Sequence, residues 1–139
     1  MTYPILNSTF PFNWETMTPD HIVPDTREAL RISKENISKI KSLSLDECNF
    51  ENVIRALDNA VIPAKKMEFF ILLFTTFLGD IKEYRNQHEI ISPEISEFSS
   101  SIYTDVELFE RVKKVYDEMN LKIHSNNVIY NTFYYFLCY

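Results

Sequence analysis

Glycine is nearly absent from the chain, because Gly79 is the only one among 139 residues. Hairpins and tight β-barrels need many positions with positive φ, and glycine supplies them most readily. Its scarcity argues against such folds and favours an all-α fold. A hydrophobic share of 45% and an aromatic share of 14% argue against a disordered chain. We therefore expect a single core, as is usual for a chain of this length.

Positive charge is also in short supply, since 14 Lys and Arg residues face 20 Asp and Glu residues and leave a net charge of −6. Excess negative charge repels a phosphate backbone and an anionic membrane surface at long range. We expect no nucleic acid and no membrane as a partner.

Long apolar runs, a leader and paired cysteines are missing as well. The most apolar run, residues 69–74 extended to Leu78, is about ten residues long against roughly twenty for a membrane span. Met1 is followed by no leader pattern, and Cys48 and Cys138 lie far apart without neighbouring histidines. The sequence therefore predicts a cytoplasmic protein without a zinc knuckle or a disulfide framework.

Two regions differ in their pattern. Residues 1–17 lack helical or strand periodicity, and we predict an extended N-terminal arm that Phe10, Phe12 and Trp14 anchor to the surface of the rest. Residues 18–139 are predicted to form a helical domain, a bundle of about five or six helices.

The first helix has a clear start and a clear face. Thr18-Pro19-Asp20 offers a hydroxyl cap, a proline at the first helical position and a carboxylate at the positive end of the dipole. The helix should reach about Lys41. Its buried face is predicted from spacings of three and four at Ile22, Thr26, Leu30, Ser33, Ile37 and Ile40.

A second helix should begin at the cap Asn49 and be kinked or ended by Pro63. The pattern resumes at Ala64 and becomes apolar on all sides at residues 69–74, which predicts a helix covered on several sides at the centre of the core. Gly79-Asp80 is predicted to break it. The face of the second helix is predicted to consist of Phe50, Ile54, Leu57 and Val61.

Two further helices follow. Residues 81–99 are predicted to be helical with a kink or restart at Pro93, and Thr104 is predicted to cap the next helix because Glu107 completes a capping box. Residues 122–127 are predicted to be a linker, and the rest of the chain an apolar last segment. The stripe after Thr104 is predicted to be Phe109, Val112, Tyr116 and Met119.

The sequence His88-Glu89-Ile90-Ile91-Ser92 approaches the H-E-x-x-H motif of zinc proteases, in which two imidazoles bind the metal and the glutamate is the general base. Ser92 stands where the second histidine belongs, and His21 and His124 are distant in sequence. A solvated His-Glu pair on a helix surface is the better interpretation.

Other candidates for chemistry also lack their context. The carboxylate pairs Asp46/Glu47 and Glu107/Glu110 are typical of an acidic helix surface, and serines 99–101 have no G-x-S-x-G neighbourhood. The aromatic residues 132–136 have no interleaved Lys or Arg for base stacking. We predict no catalytic, cofactor-binding or metal-binding residue.

Three stretches together resemble the N-terminal region of the thimet-oligopeptidase family of zinc metallopeptidases, in its peptidyl-dipeptidase and oligopeptidase A branch. They are Phe12 to Pro24, Asn49 to Asp58, and Glu89 to Ser96 continued by Leu108 to Asp117. The tail Val128 to Tyr139 follows the family only loosely. The order and spacing of the three stretches are those of the family. The resemblance implies that this region forms part of the helical wall of a peptide channel, and that the zinc site lies in a later segment.

This resemblance implies a truncated or remnant scaffold of an enzyme that hydrolyses short peptides, without activity or cofactor of its own. A free-standing interaction module is the alternative, with a partner bound through Phe133, Tyr134, Phe136 and the face around Phe70 and Leu73. An H-E-x-x-H reading frame in the downstream DNA would favour the first. We also expect the apolar residues 128–139 to cause self-association, and their removal to improve solubility.

Overall fold

The computed structural model of the chain describes residues 2–77 and 81–123. Within these ranges there is no strand, so the predicted all-α fold is confirmed. No helix of this part of the chain combines the length and the apolarity that a membrane span requires. The helices are α1 (Ile22–Lys41), the short α2 (Ala56–Ala60), α3 (Ile62–Phe77), α4 (Lys82–Thr104) and α5 (Val106–Ile123).

Two clusters of buried side chains form the core. The arm-side cluster combines the N-terminal arm with the first half of α1, most of α3 and the first half of α4. The α5-side cluster combines the second half of α1, α2, the start of α3, the second half of α4 and α5. Helices α1 and α4 therefore run in the same direction, and α3 runs in the opposite one.

Helix α1 closely follows its prediction, because all six residues of its predicted face are buried and it ends at Lys41. Its start is tighter than expected, since Pro19–His21 forms a 3₁₀ turn before it. The Thr18 hydroxyl lies 3.0 Å from Nδ1 of His21 instead of capping a backbone amide. Tertiary packing of one unambiguous face explains the agreement.

The second helix begins at the predicted cap. Asn49 Oδ1 accepts hydrogen bonds from the amides of Glu51 and Asn52, and a wide π-helical turn, Phe50–Arg55, leads into α2. Val53 is fully buried although the predicted face omitted it. Pro63 lies in the first turn of α3, one residue after that helix begins, so the predicted interruption is confirmed.

Helix α4 overturns the predicted restart at Pro93 and the predicted cap at Thr104. It continues through Pro93 to Thr104, because burial of Tyr84, Ile91 and Phe98 outweighs the hydrogen bond that proline cannot donate. Thr104 ends α4, with its hydroxyl donating to the Ser100 carbonyl, and does not cap α5.

Asp105 caps α5 in place of Thr104. Its Oδ1 accepts the Leu108 amide at 3.0 Å, and its Oδ2 lies 2.7 Å from Nζ of Lys41. The end of α1 therefore fixes the corner between α4 and α5.

The face of α5 is also shifted from its prediction. Phe109 is exposed, whereas Leu108, Val112 and Val115 are buried and Met119 packs partly against them. Helical positions 122 and 123 lie in α5, so the predicted linker starts too early, and its remainder lies outside the described residues. The break predicted at Gly79-Asp80 lies outside them too.

The N-terminal arm is held by its backbone. Asp25 of α1 is fully buried, and its Oδ2 accepts the amides of Ile5 at 2.7 Å and Leu6 at 3.0 Å. Lys66 of α3 donates to the carbonyls of Leu6 and Ser8, both at 2.6 Å.

Two of the three predicted aromatic anchors of the arm, Phe12 and Trp14, contact Phe70 of α3, and the prediction is wrong for Phe10. Ile5 and Met17 are buried, and Phe12 packs edge-on against Phe70, but Phe10 is 86% exposed. The arm turns at residues 4–7 and forms a short 3₁₀ helix at Trp14–Thr16. Its division from residues 18–139 as a separate unit stays a prediction.

Candidate interaction surfaces

The sequence that approaches a zinc motif lies along α4. His88 and Ser92 are half-buried there and Glu89 is exposed. Across residues 2–77 and 81–123, no group of three His, Cys, Asp or Glu side chains could hold a metal ion. One imidazole beside a hydroxyl does not fit the ligand set of a zinc peptidase.

One member of each candidate acid–base pair has a structural partner. Glu47 accepts hydrogen bonds from the amide and hydroxyl of Ser44, which lowers the pKa of Glu47. Glu107 lies 2.9 Å from Nζ of Lys41. Ser101 donates to the Phe98 carbonyl within its own helix. Such contacts stabilise turns and helix ends.

Helix α3 exposes a face that was expected to be covered. Four large apolar side chains are more than half exposed: Ile62 at 52%, Phe69 at 55%, Leu72 at 65% and Phe77 at 76%. At 100° per residue they span about 140° of the helix circumference. Ile62, Phe69 and Leu72 face away from the buried Met67 and Phe74, whereas Phe77 lies about 20° from Phe70 and is exposed at the end of the helix. We call these four residues the α3 stripe. The prediction that residues 69–74 are covered on several sides is wrong for this side.

The residue expected to contact a partner is itself in the core. Phe70 is 1% exposed and contacts the rings of Phe12, Trp14 and Phe74, so its neighbour Phe69 is the available aromatic side chain. Leu73 is half-buried. The other residues expected to contact a partner, Phe133, Tyr134 and Phe136, lie outside the described residues, as does the rest of residues 128–139.

A groove borders the α3 stripe on the side away from the arm. Side chains of α2, α3 and α4 line this cavity of about 180 Å³, and we call it the Phe98 groove. Its floor is apolar, with Leu57, Ala64 and Phe98 almost fully buried. Its polar rim includes Asp58, Lys65, Glu68, Ser99 and Tyr103.

Glu68 is the charged rim residue without a close partner. Lys65 contacts Asp58 at 3.7 Å, but for Glu68 neither a hydrogen bond nor an ion pair occurs within the described part of the chain. Partial burial raises the pKa of the Glu68 carboxyl, and the positive charge of Lys65 opposes this rise. The rim therefore presents one partly desolvated carboxylate beside an apolar floor.

The sequence analysis did not predict the Phe98 groove, and it placed the partner surface of α3 around Phe70 and Leu73, whereas Phe69 and Leu72 are the exposed residues. A run that is apolar all round predicts burial but does not identify which side a neighbour leaves open. The groove depends on how α2 and α4 pack against α3, and Leu57 and Phe98 are 41 positions apart. The charges of Asp58, Lys65 and Glu68, which alternate in sign, are the local feature from which the rim of the groove could have been predicted.

In comparisons with known proteins, no family model, no curated protein and no solved structure matches the chain.

Proposed function

We propose that this chain is a non-catalytic helical scaffold, as the resemblance to the N-terminal part of zinc oligopeptidases implies, and that further helices cover its α3 stripe. The α3 stripe carries the proposal, because its four large apolar side chains are more than half exposed along a single helix. Complete burial of such a side chain contributes roughly 1.5 to 3 kcal/mol, so covering the stripe is strongly favoured. Contiguous exposed apolar patches mark interaction sites, whereas scattered ones do not.

The positions of the resembling stretches support the peptidase proposal. The first runs from the arm into α1, the second forms the capped π-helical turn and α2, and the third lies on α4 and α5. All three are therefore parts of the helical framework. In this proposal the zinc and the catalytic groups belong to a later segment, and peptides pass along the wall that these helices help to form.

A free-standing interaction module is the second proposed function. The Phe98 groove favours it, since a cavity with a charged rim next to an apolar stripe suits a protein partner. The two proposals share the α3 stripe as the contact surface. They differ in whether the covering helices belong to a peptidase.

The test isolates the native protein from its source cells with an antibody against this chain. The peptidase proposal predicts chelator-sensitive cleavage of short peptides and an H-E-x-x-H segment in the isolate by mass spectrometry. The chain alone should cleave no peptide, with or without added zinc, because a single His-Glu pair cannot replace three protein ligands and an oriented water. An isolate without that segment and without that activity contradicts the peptidase proposal. Chelator-sensitive cleavage by the chain alone contradicts the non-catalytic one.

A further inference from the structure

The size of the Phe98 groove sets the first condition on its occupant. A cavity of about 150 Å³ lined by apolar side chains holds a benzene molecule, and this groove offers about 180 Å³. Leu57, Val61, Ala64 and Phe98 form its buried wall, and Ile102 adds a half-buried edge. One aromatic ring or one branched aliphatic side chain fits this space.

Charge sets the second condition. Glu68 is partly desolvated and has no ion-pair partner within residues 2–77 and 81–123, while the other rim charges, Lys65 and Asp58, contact each other. A cation placed at Glu68 would gain a charge-assisted hydrogen bond to a carboxylate that is already removed from much of the solvent. The groove therefore discriminates in favour of a basic group beside the apolar one.

The surroundings set the third condition. Glu68 and Leu72 are one helical turn apart on α3, so the rim of the groove lies next to the α3 stripe. A flat small molecule would fill the groove alone, whereas a polypeptide can also cover the exposed Leu72. The continuity of groove and stripe favours a segment of protein.

We propose that the Phe98 groove binds a segment of a partner protein that inserts an aromatic or branched aliphatic side chain beside Phe98 and places a lysine or arginine against Glu68. This proposal goes beyond the scaffold function, because it names the chemistry of one occupant of one site. It does not depend on the peptidase resemblance.

The experiment measures binding of a short fluorescent helical peptide, carrying Phe and one turn later Lys, to the full chain by anisotropy. Matched peptides carry Ala for Phe or Gln for Lys. Glu68→Gln removes the rim charge and Ser99→Phe fills the groove. Their controls are Glu89→Gln and Ser100→Phe on exposed positions of α4. Circular dichroism checks that each variant is folded.

We expect the Phe and Lys peptide to bind, and its Ala counterpart to bind about tenfold or more weakly. Glu68→Gln should weaken binding of the Lys peptide about two- to fivefold and leave the Gln peptide unchanged. Ser99→Phe should abolish binding, and neither control should alter it. Should Ser99→Phe fail to fold, the comparison of Glu68→Gln with the two peptides decides.

The proposal is overturned if the Phe and Lys peptide does not bind or if all peptides bind equally. It is also overturned if Glu68→Gln weakens binding of the Lys and Gln peptides equally. Binding that is lost in Leu72→Glu but kept in Ser99→Phe also overturns it, and leaves the scaffold function intact. If the groove variants lower self-association instead, the occupant is a second copy, which contradicts a separate partner.

Discussion

Asp25 combines full burial with a charge that serves two amides of the arm. Its other oxygen, Oδ1, is buried without a hydrogen-bond partner in the part of the chain that the structure describes. Burial raises the pKa of Asp25 above its ordinary value of 3.8, while the amides of Leu6 and Ile5 and the charge of His21 oppose this rise. The contact between the arm and α1 is therefore linked to the protonation of Asp25.

We predict that this proton changes stability in a definite direction. The folded state binds it at a higher pH than the unfolded chain, so the contribution of Asp25 to stability increases as the pH falls through the folded pKa towards 3.8. Asp25→Asn cannot titrate. The free energy of unfolding of the wild type, relative to this variant, should therefore rise between pH 7 and about pH 4.

Urea denaturation of both proteins at a series of pH values measures this difference. Carboxylates whose pKa values are lowered, such as Glu28, Glu94 and Asp105, lose stabilising contacts on acidification. They are present in both proteins and cancel in the comparison. A relative stability that stays constant, or that shifts towards Asp25→Asn on acidification, contradicts the role given to Asp25.

At the scale of elements, the corner between α4 and α5 separates a local signal from a tertiary one. Thr104 and Asp105 are both good capping residues, and the spacing of Thr104 to Glu107 fits a capping box. Lys41, 64 positions before Asp105, selects the second of them through its contact with Asp105. No local pattern contains this information.

The capping assignment makes a prediction with its own control. Asp105→Ala removes the acceptor of the Leu108 amide and the partner of Lys41, so the free energy of unfolding should fall by about 1 to 2 kcal/mol. Thr104→Ala removes only a hydroxyl contact within α4 and should change it by less than about 0.5 kcal/mol. Chemical denaturation measures both, and the reverse ranking contradicts the assigned cap.

The same contrast explains how much of the helical pattern could be predicted. In α1 the six predicted residues share one face and all are buried, and Asp25 and Ala29 are buried in addition to them. In α5 two stripes have equally good spacing, and contacts with the segment around Phe50 select the one that contains Leu108 and Val115. At Pro93 the local penalty predicted an interruption, but long-range packing of Ile91 and Phe98 outweighs it. The spacing of apolar residues along a helix is contained in the local sequence, whereas the choice between two possible buried faces depends on long-range contacts.

At the scale of the molecule, α3 lies between the arm and the Phe98 groove. Lys66 and Phe70 hold the arm on one side, and Ala64 and Glu68 line the groove on the other. The α3 stripe remains open between them. An all-round apolar helix with one open side is expected in a part of a larger assembly, and it predicts association of the isolated chain.

The trimming experiment separates two sources of association. The sequence attributes self-association to residues 128–139, whereas the structure adds the α3 stripe. We expect removal of residues 128–139 to improve solubility, and we expect the trimmed chain to retain association through the stripe. Light scattering of the trimmed chain measures both, and an entirely monomeric trimmed chain would assign all association to the tail.

Sedimentation of the full chain over a range of concentrations tests most directly whether the α3 stripe is a contact surface. It compares the wild type with Phe69→Glu/Leu72→Glu and with Val106→Glu, a control at an exposed apolar position outside the stripe. We expect the wild type to associate in a concentration-dependent way, the double variant to associate much less, and Val106→Glu to associate like the wild type. The helix signal should be unchanged in all three proteins. A wild type that sediments as a monomer throughout, or association unaffected by the double variant, contradicts the claim that the α3 stripe is a contact surface.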